Sequence, residues 1–163
     1  MSISRTLKEY LDREHVYYNV LPHREAYRAA VLAEVLQTPV QEMAKVVILK
    51  VDNRFVMTVL PAGLHVDLHR LRDVFMTNHV RLATEQEFKG IFPDCELGAM
   101  PPFGPLYGLP VYVDRSLTED EYIVFEAGTH SEAIRMRYWD FATLVFPVVE
   151  EFHRSTSAVG QGL

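Results

Sequence analysis

A lysine opens an otherwise apolar run: Ala44 to Lys50 reads AKVVILK, with Lys45 second. Its ammonium group falls where a strand meets solvent, and that charge is costly to bury without an anionic partner. About fifty residues further on stands GAMPPFG, Gly98 to Gly104, whose glycines and prolines set backbone shape more than they supply side chains. A cation and a preshaped loop are the ingredients of a pocket for an anion-bearing ligand, with Met100, Pro101, Pro102 and Phe103 as its candidate walls.

Each residue also fits a plainer role. Lys45 fits a strand-end lysine whose stem packs while its amine reaches water, and Gly98, Pro102 and Gly104 fit a rigid turn. His130 follows Gly128 and Thr129, a tight turn that would present an imidazole at a sheet edge, where a histidine is usually just solvated. Ser131 beside it does not make a nucleophile pair, because adjacent residues of a strand point to opposite faces. His65 and His69 have the spacing of a helical metal pair. The helix there is expected to begin only at Asp67, and no third ligand follows, so a solvated face is the reading and no metal is assigned. Motifs for a hydrolase elbow, a P-loop and a dinucleotide fingerprint are absent from the chain.

The elements that must hold these residues are legible from periodicity. Ile3, Leu7, Tyr10 and Leu11 predict an amphipathic helix ending near Glu14, with Ser2 or Ser4 as cap. VYYNVL predicts a strand, and Glu25 to Leu36 a buried helix halted by Thr38-Pro39. KVVILKV, Asp52-Asn53-Arg54 and FVMTVLP predict a hairpin. Asp67 caps a helix carrying Leu68, Leu71, Val74 and Phe75, HVRLA is a strand, and Thr84 to Glu87 is a capping box. LPVYVD and YIVFEAG are further strands, and Ile134, Met136 and Tyr138 alternate with Arg135 and Arg137, which puts both arginines on one strand face. YWDFATLVF is expected to be the last helix. Hairpins interrupted by helices predict a mixed α/β fold: a mainly antiparallel curved sheet or partly closed barrel with helices packed outside.

The chain has 163 residues, the size of one domain, so residues 1–152 are expected to form it and 153–163 a flexible tail. Its 48% hydrophobic and 23% charged residues exclude a disordered or fibrous class. A single cysteine, Cys95, excludes an internal disulfide, and Asp94 and Glu96 on either side oppose thiolate formation. The net charge of -6 excludes broad coating of nucleic acid, so any contact with it must be local, through Lys45, Lys50, Arg135 and Arg137. No run is long and apolar enough to span a bilayer and the N-terminus is too charged for a signal peptide, which points to the cytoplasm and to no membrane partner.

In their order and spacing, AKVVILKVDNRFVMTVLPAG, HVDLHRLRDVF, LATEQEF, ELGAMPPFGPLYGLPVYVD and EAGTHSEAIRMRYWDF resemble the YbaK and prolyl-tRNA synthetase-associated domain family, whose members are aminoacyl-tRNA editing enzymes. The resemblance covers residues 20 to 145. It implies a mixed α/β domain that hydrolyses the ester between a wrongly attached amino acid and the terminal adenosine of tRNA, without a cofactor. The implied partner is the tRNA acceptor end, with an aminoacyl-tRNA synthetase as a further candidate. Lys45 falls on the family's functional lysine, which is implied to contact the acceptor-end phosphate or ribose. Gly98 and Pro102 fall on the glycine and proline that shape the aminoacyl pocket, to which Met100, Pro101, Phe103 and Gly104 also belong. His130 matches a histidine after a similar glycine turn in the prolyl-tRNA synthetase editing domain. Lys45, Gly98 and His130 are therefore the implied catalytic set. Pro101 stands where many relatives carry Ser or Thr, and Val46 where Thr is common, so a non-catalytic module that binds an aminoacyl or nucleotide group is the alternative.

Overall fold

The computed structural model describes residues 3–154. Its helices are α1 (Arg5–Arg13), α2 (Ala29–Val35), α3 (Leu68–Phe75), α4 (Glu85–Phe88) and α5 (Tyr138–Val145). Its strands are β1 (Tyr18–Pro22), β2 (Ala44–Val51), β3 (Arg54–Pro61), β4 (Val80–Leu82), β5 (Val111–Asp114), β6 (Tyr122–Thr129), β7 (Glu132–Arg137) and β8 (Val148–Glu150). They form a three-stranded antiparallel sheet, β1-β7-β6, and a five-stranded mixed sheet, β4-β2-β3-β5-β8. A parallel bridge between Met43 and Val124 links the two sheets, which do not close into a barrel. No helix among the described residues is long and apolar enough to cross a membrane.

The β2–β3 hairpin is the centre of the larger sheet, paired from Ala44↔Pro61 to Val51↔Arg54. Asp52 and Asn53 both take positive φ, 46° and 68°, the geometry of a two-residue turn that matches strand twist. Strand β2 reads as a continuous apolar run because both its faces are covered. Ala44 and Ile48 enter a core with Phe103, Phe125 and Phe141, while Leu49 and Val51 enter a second one with Leu71 and Phe152.

Helix α1 is capped by the Ser4 hydroxyl, which accepts from the Leu7 N–H, and it buries Leu7 and Leu11 on one face. Ser4 also donates to Asp94, which accepts from Tyr107 as well. Burial opposes ionisation of Asp94, but the donors from Ser4, Thr6 and Tyr107 outweigh it and bring its carboxyl to about 2. Burial pushes the neighbouring Cys95 thiol up to about 12, so this cysteine is no nucleophile.

The structure differs from the sequence reading at three places. The second helix starts at Ala29 rather than Glu25, because Ala26 N–H donates to the His130 carbonyl and His23 N–H to that of Ser131. Residues 23–28 are thereby drawn across the β6–β7 turn instead of coiling. Strand β5 joins β3 in parallel, which periodicity does not reveal, since the crossover consumes α3, β4 and α4. The third is β8, three residues paired in parallel with β5.

The expected tail also begins inside the structure: His153 bridges Val66, and Arg154 N–H donates to the His65 carbonyl. Residues 155–163 of that tail lie outside the described residues. The anchor is the fully buried Asp114, which accepts from the Phe152 and His153 N–H groups and from Ser116. Burial raises its carboxyl, but the hydrogen bonds from Ser116 and the Phe152 backbone outweigh that and hold it below the usual range. Its contribution is therefore present above the unfolded carboxyl pKa and is lost as pH falls through the lowered folded one. Asp114→Ala leaves these donors unpaired and should cost about 3 kcal/mol in a urea unfolding titration.

Candidate active site

The site forms where one strand edge is left open. Strand β4 pairs with β2 only from Val51↔Val80 to Leu49↔Leu82, and Ala83 N–H then donates to the Ile48 carbonyl. Past that bond the chain turns into α4, capped by the Thr84–Glu87 capping box. Groups of alternate residues in an antiparallel strand point the same way. The Val46 N–H and C=O therefore point to the side of the Ile48 carbonyl, where no strand of the described residues covers them.

The segment 96–100 stands opposite, stitched to the β6–β7 turn. Glu96 N–H donates to the Gly128 carbonyl at 2.8 Å, and Gly128 N–H to the Ala99 carbonyl at 2.8 Å. His130 N–H donates to Glu96 Oε1 at 2.9 Å, and its ring Nε2 lies 2.8 Å from the Leu97 carbonyl oxygen. A carbonyl only accepts, so Nε2 carries a proton. Gly98 sits at φ +85°, where a Cβ would lie 3.5 Å from His130 Cε1. Its N–H points to the Met100 thioether at 3.2 Å, a weak acceptor. The Ala99 N–H is already bonded to the Glu96 carbonyl.

Between edge and loop lies a cleft with two chambers. The larger, about 450 Å³, is lined by Val46, Ile48, Leu97, Gly98, Met100 and His130 among others. The smaller, about 180 Å³, is lined by Tyr27, Met43, Lys45, Gly98, Met100 and Glu126 among others. Lys45 and Gly98, far apart in sequence, thus share one cavity wall. Lys45 makes no ion pair among the described residues, and burial lowers the pKa of its ammonium. Its charge, with burial and the nearby Arg154, in turn lowers the pKa of His65.

Several predicted site residues stand elsewhere. His130 is 4% exposed, not solvated at a sheet edge, because the Glu25–Arg28 segment lies over it and the Tyr27 ring packs tilted against its own, centroids 4.4 Å apart. Pro101, Pro102, Phe103 and Gly104 are buried and do not line the two chambers. Phe103 is packed in the core against Phe125, Phe141 and Tyr10, and Gly104 begins the short 3-10 turn Gly104–Tyr107. Of the expected loop walls only Met100 faces the cleft. The basic residues are also dispersed. Lys50 lies over the Phe55 ring at 4.3 Å in a polar groove with His79 and Arg81 at the hairpin end. Arg135 and Arg137 do share a face, over Tyr122 at 3.9 and 5.4 Å, but on the other sheet.

Sequence reasoning passed over Tyr27 and Glu126. Glu126 carried a signal: a lone carboxylate in the apolar run YIVFEAG is either paired or functional. Burial pushes it up to about 7, against the opposing pull of His130. No group of three or more His, Cys, Asp or Glu side chains among the described residues could hold a metal ion.

A family model described as "Aminoacyl-tRNA editing domain" matches residues 23–144. The "Multifunctional Ser/Thr-tRNA deacylase ProXp-y" of Escherichia coli (strain K12) is 26% identical over 151 residues, 89% of each chain. A "Proline--tRNA ligase" of Macrococcus caseolyticus (strain JCSC5402) is 27% identical over 143 residues, 80% of this chain but 25% of the ligase, so the chain spans about a quarter of that relative. A crystal structure of a proposed trans-editing enzyme for prolyl tRNA synthetase superposes with a TM-score of 0.79 at 19% identity, covering 93% of this chain and 97% of that one, a likeness of fold. The family match takes in the open β2 edge, the loop opposite and the turn that braces it, and this chain belongs to the aminoacyl-tRNA editing domain family.

Proposed function

We propose that the chain is a trans-acting deacylase that hydrolyses the ester bond of tRNA bearing a small, wrongly attached amino acid, in the cytoplasm and without a cofactor. Its unit would be one editing domain from the N-terminus to the His153–Val66 bridge. The observation that carries this reading is the shared cavity: Lys45, Gly98 and Met100 line one small chamber.

An aminoacyl ester is already activated, so the site needs to orient water and stabilise the oxyanion that forms on the carbonyl. Such a reaction does not require a reactive cysteine or serine. Lys45 supplies an unpaired cation for the acceptor-end phosphate or ribose. The Gly98 N–H, held only by a thioether, is the loop donor free to turn to an oxyanion, and the vicinal ribose hydroxyl assists the water. His130 acts as a positioning residue, since its buried ring fixes the Leu97 carbonyl and with it the loop. Lys50, Arg135 and Arg137, standing apart from one another, would touch more distant parts of the tRNA, and a synthetase is a further candidate partner.

The small chamber lies well under the roughly 300–1,000 Å³ of pockets for drug-sized ligands, which suits an aminoacyl group with a short side chain. Steric exclusion rejects larger residues, whereas rejecting a smaller one is worth only about 1–3 kcal/mol per methylene. A panel of mischarged tRNAs tests the whole reading. Hydrolysis confined to small amino acids is expected, and saturable binding without turnover on every member would sink it. Met100→Ala should widen the panel toward larger side chains, at about 2–5 kcal/mol of stability because Met100 is buried. An unchanged panel in that variant would remove Met100 from the chamber wall.

A further inference from the structure

Glu126 takes no part in the bonds that stitch the loop to the turn, yet among the described residues it is the only acidic side chain lining the small chamber. It sits in β6 at 8% exposure, on the strand face of Val124 rather than in the main core. Among the described residues its Oε1 has no hydrogen-bond partner, and neither has His130 Nδ1, 3.7 Å away. That separation is too long for a hydrogen bond. With a His130 ring proton committed to Leu97, Nδ1 faces the carboxyl, so whenever Glu126 is ionised and the imidazole neutral two buried acceptors lie side by side without a donor between them. Leaving such groups unsatisfied is costly, and the cost is recovered when a donor enters.

The donor must fit a chamber that suits an aminoacyl group. An ammonium has three N–H donors and a positive charge, and the amino acid of an aminoacyl ester carries one on its α carbon. Lys45 lines the same chamber but makes no ion pair with Glu126, so cation and anion stay apart in one cavity. A ligand with a phosphate on one side of its ester and an ammonium on the other matches that order of charge. We infer that Glu126, together with Nδ1 of His130, receives the free α-ammonium of the aminoacyl ester, so the cleft selects substrates whose amino group is unblocked. This rests on the deacylase reading of the cleft. The groups around Glu126 are His130, Glu96, Tyr27 and Lys45. Burial, with Glu96 adding to it, raises the carboxyl to about 7, so an arriving ammonium shifts it toward the ionised form and releases a proton near pH 6.

The test uses two amide-linked, non-hydrolysable alanyl-adenosine 5′-monophosphate analogues, one with a free amine and one N-acetylated, titrated calorimetrically into the full chain. Wild type should bind the free amine about 30-fold more tightly, and Glu126→Gln should reduce that preference below about 3-fold without weakening the acetylated analogue, as loss of one charged contact requires. Equal binding of the two analogues by wild type, binding of neither, or equal weakening of both in the variant overturns the inference. The wild-type preference needs no variant, so misfolding of Glu126→Gln cannot protect the idea. The analogues are not cleaved, so the two readings fail separately. A free-amine preference without turnover of any mischarged tRNA removes the deacylase alone, and turnover without the preference removes the ammonium site alone.

Discussion

Lys45→Ala should lower kcat/KM for deacylation about 10- to 100-fold, the loss of one charge-assisted contact made to the substrate. The fold should survive the change. Lys45 is half-buried and joins no ion pair among the described residues, so its removal relieves desolvation rather than breaking a network. Single-turnover hydrolysis of mischarged tRNA beside a thermal melt separates the two effects, and full activity in the variant would exclude the lysine from the mechanism. The lowered pKa adds a sign: between it and the unfolded lysine value the unfolded chain binds more protons, so Lys45 makes the fold gain stability as pH rises through that window. Lys45→Ala should flatten that part of an alkaline stability profile.

Gly98→Ala should be comparably severe and should also cost stability, about 1–3 kcal/mol, because φ +85° is strained for any residue with a Cβ. The new methyl would meet His130 Cε1 at ordinary van der Waals distance, so the strain lies in the backbone, and its relief would move the loop that the ring holds in register. A displacement of about 1 Å at a reacting centre can cost 100-fold in rate, so deacylation should fall by 10- to 100-fold even in folded enzyme. Wild-type activity in Gly98→Ala would show that loop shape at this position is irrelevant to the chemistry.

Most elements were legible because their signals are local. Ser4, Asp67 and Thr84 cap the helices whose starts they announce, and Asp52-Asn53 makes the turn that its residues favour. What could not be read depends on contacts distant in sequence. Nothing within Glu25–Arg28 announces that Ala26 will bond to the His130 carbonyl, so a good helix former became a cover over the imidazole. Likewise β8 exists because β5 is there to receive it and Asp114 holds the residues that follow.

The candidate site divides along the same line. Lys45 and Gly98 were readable as a charge at a strand start and a glycine bend, and the fold brings them to one cavity. The proline and phenylalanine of the loop were read as walls because they adjoin Met100 in sequence. The chain instead turns Phe103 inward, where three aromatic neighbours bury it.

If the cleft binds as proposed, the open edge of β2 would make part of the recognition surface peptide rather than side chain. An amide contributed this way is invisible to drift at its own position: a hydroxyl-bearing residue can give way to Val46 and the amide hydrogen still points into the cavity. Only proline, which has no such hydrogen, would erase it. Alanine scanning would therefore report residue 46 as dispensable while the backbone there went on holding the ligand.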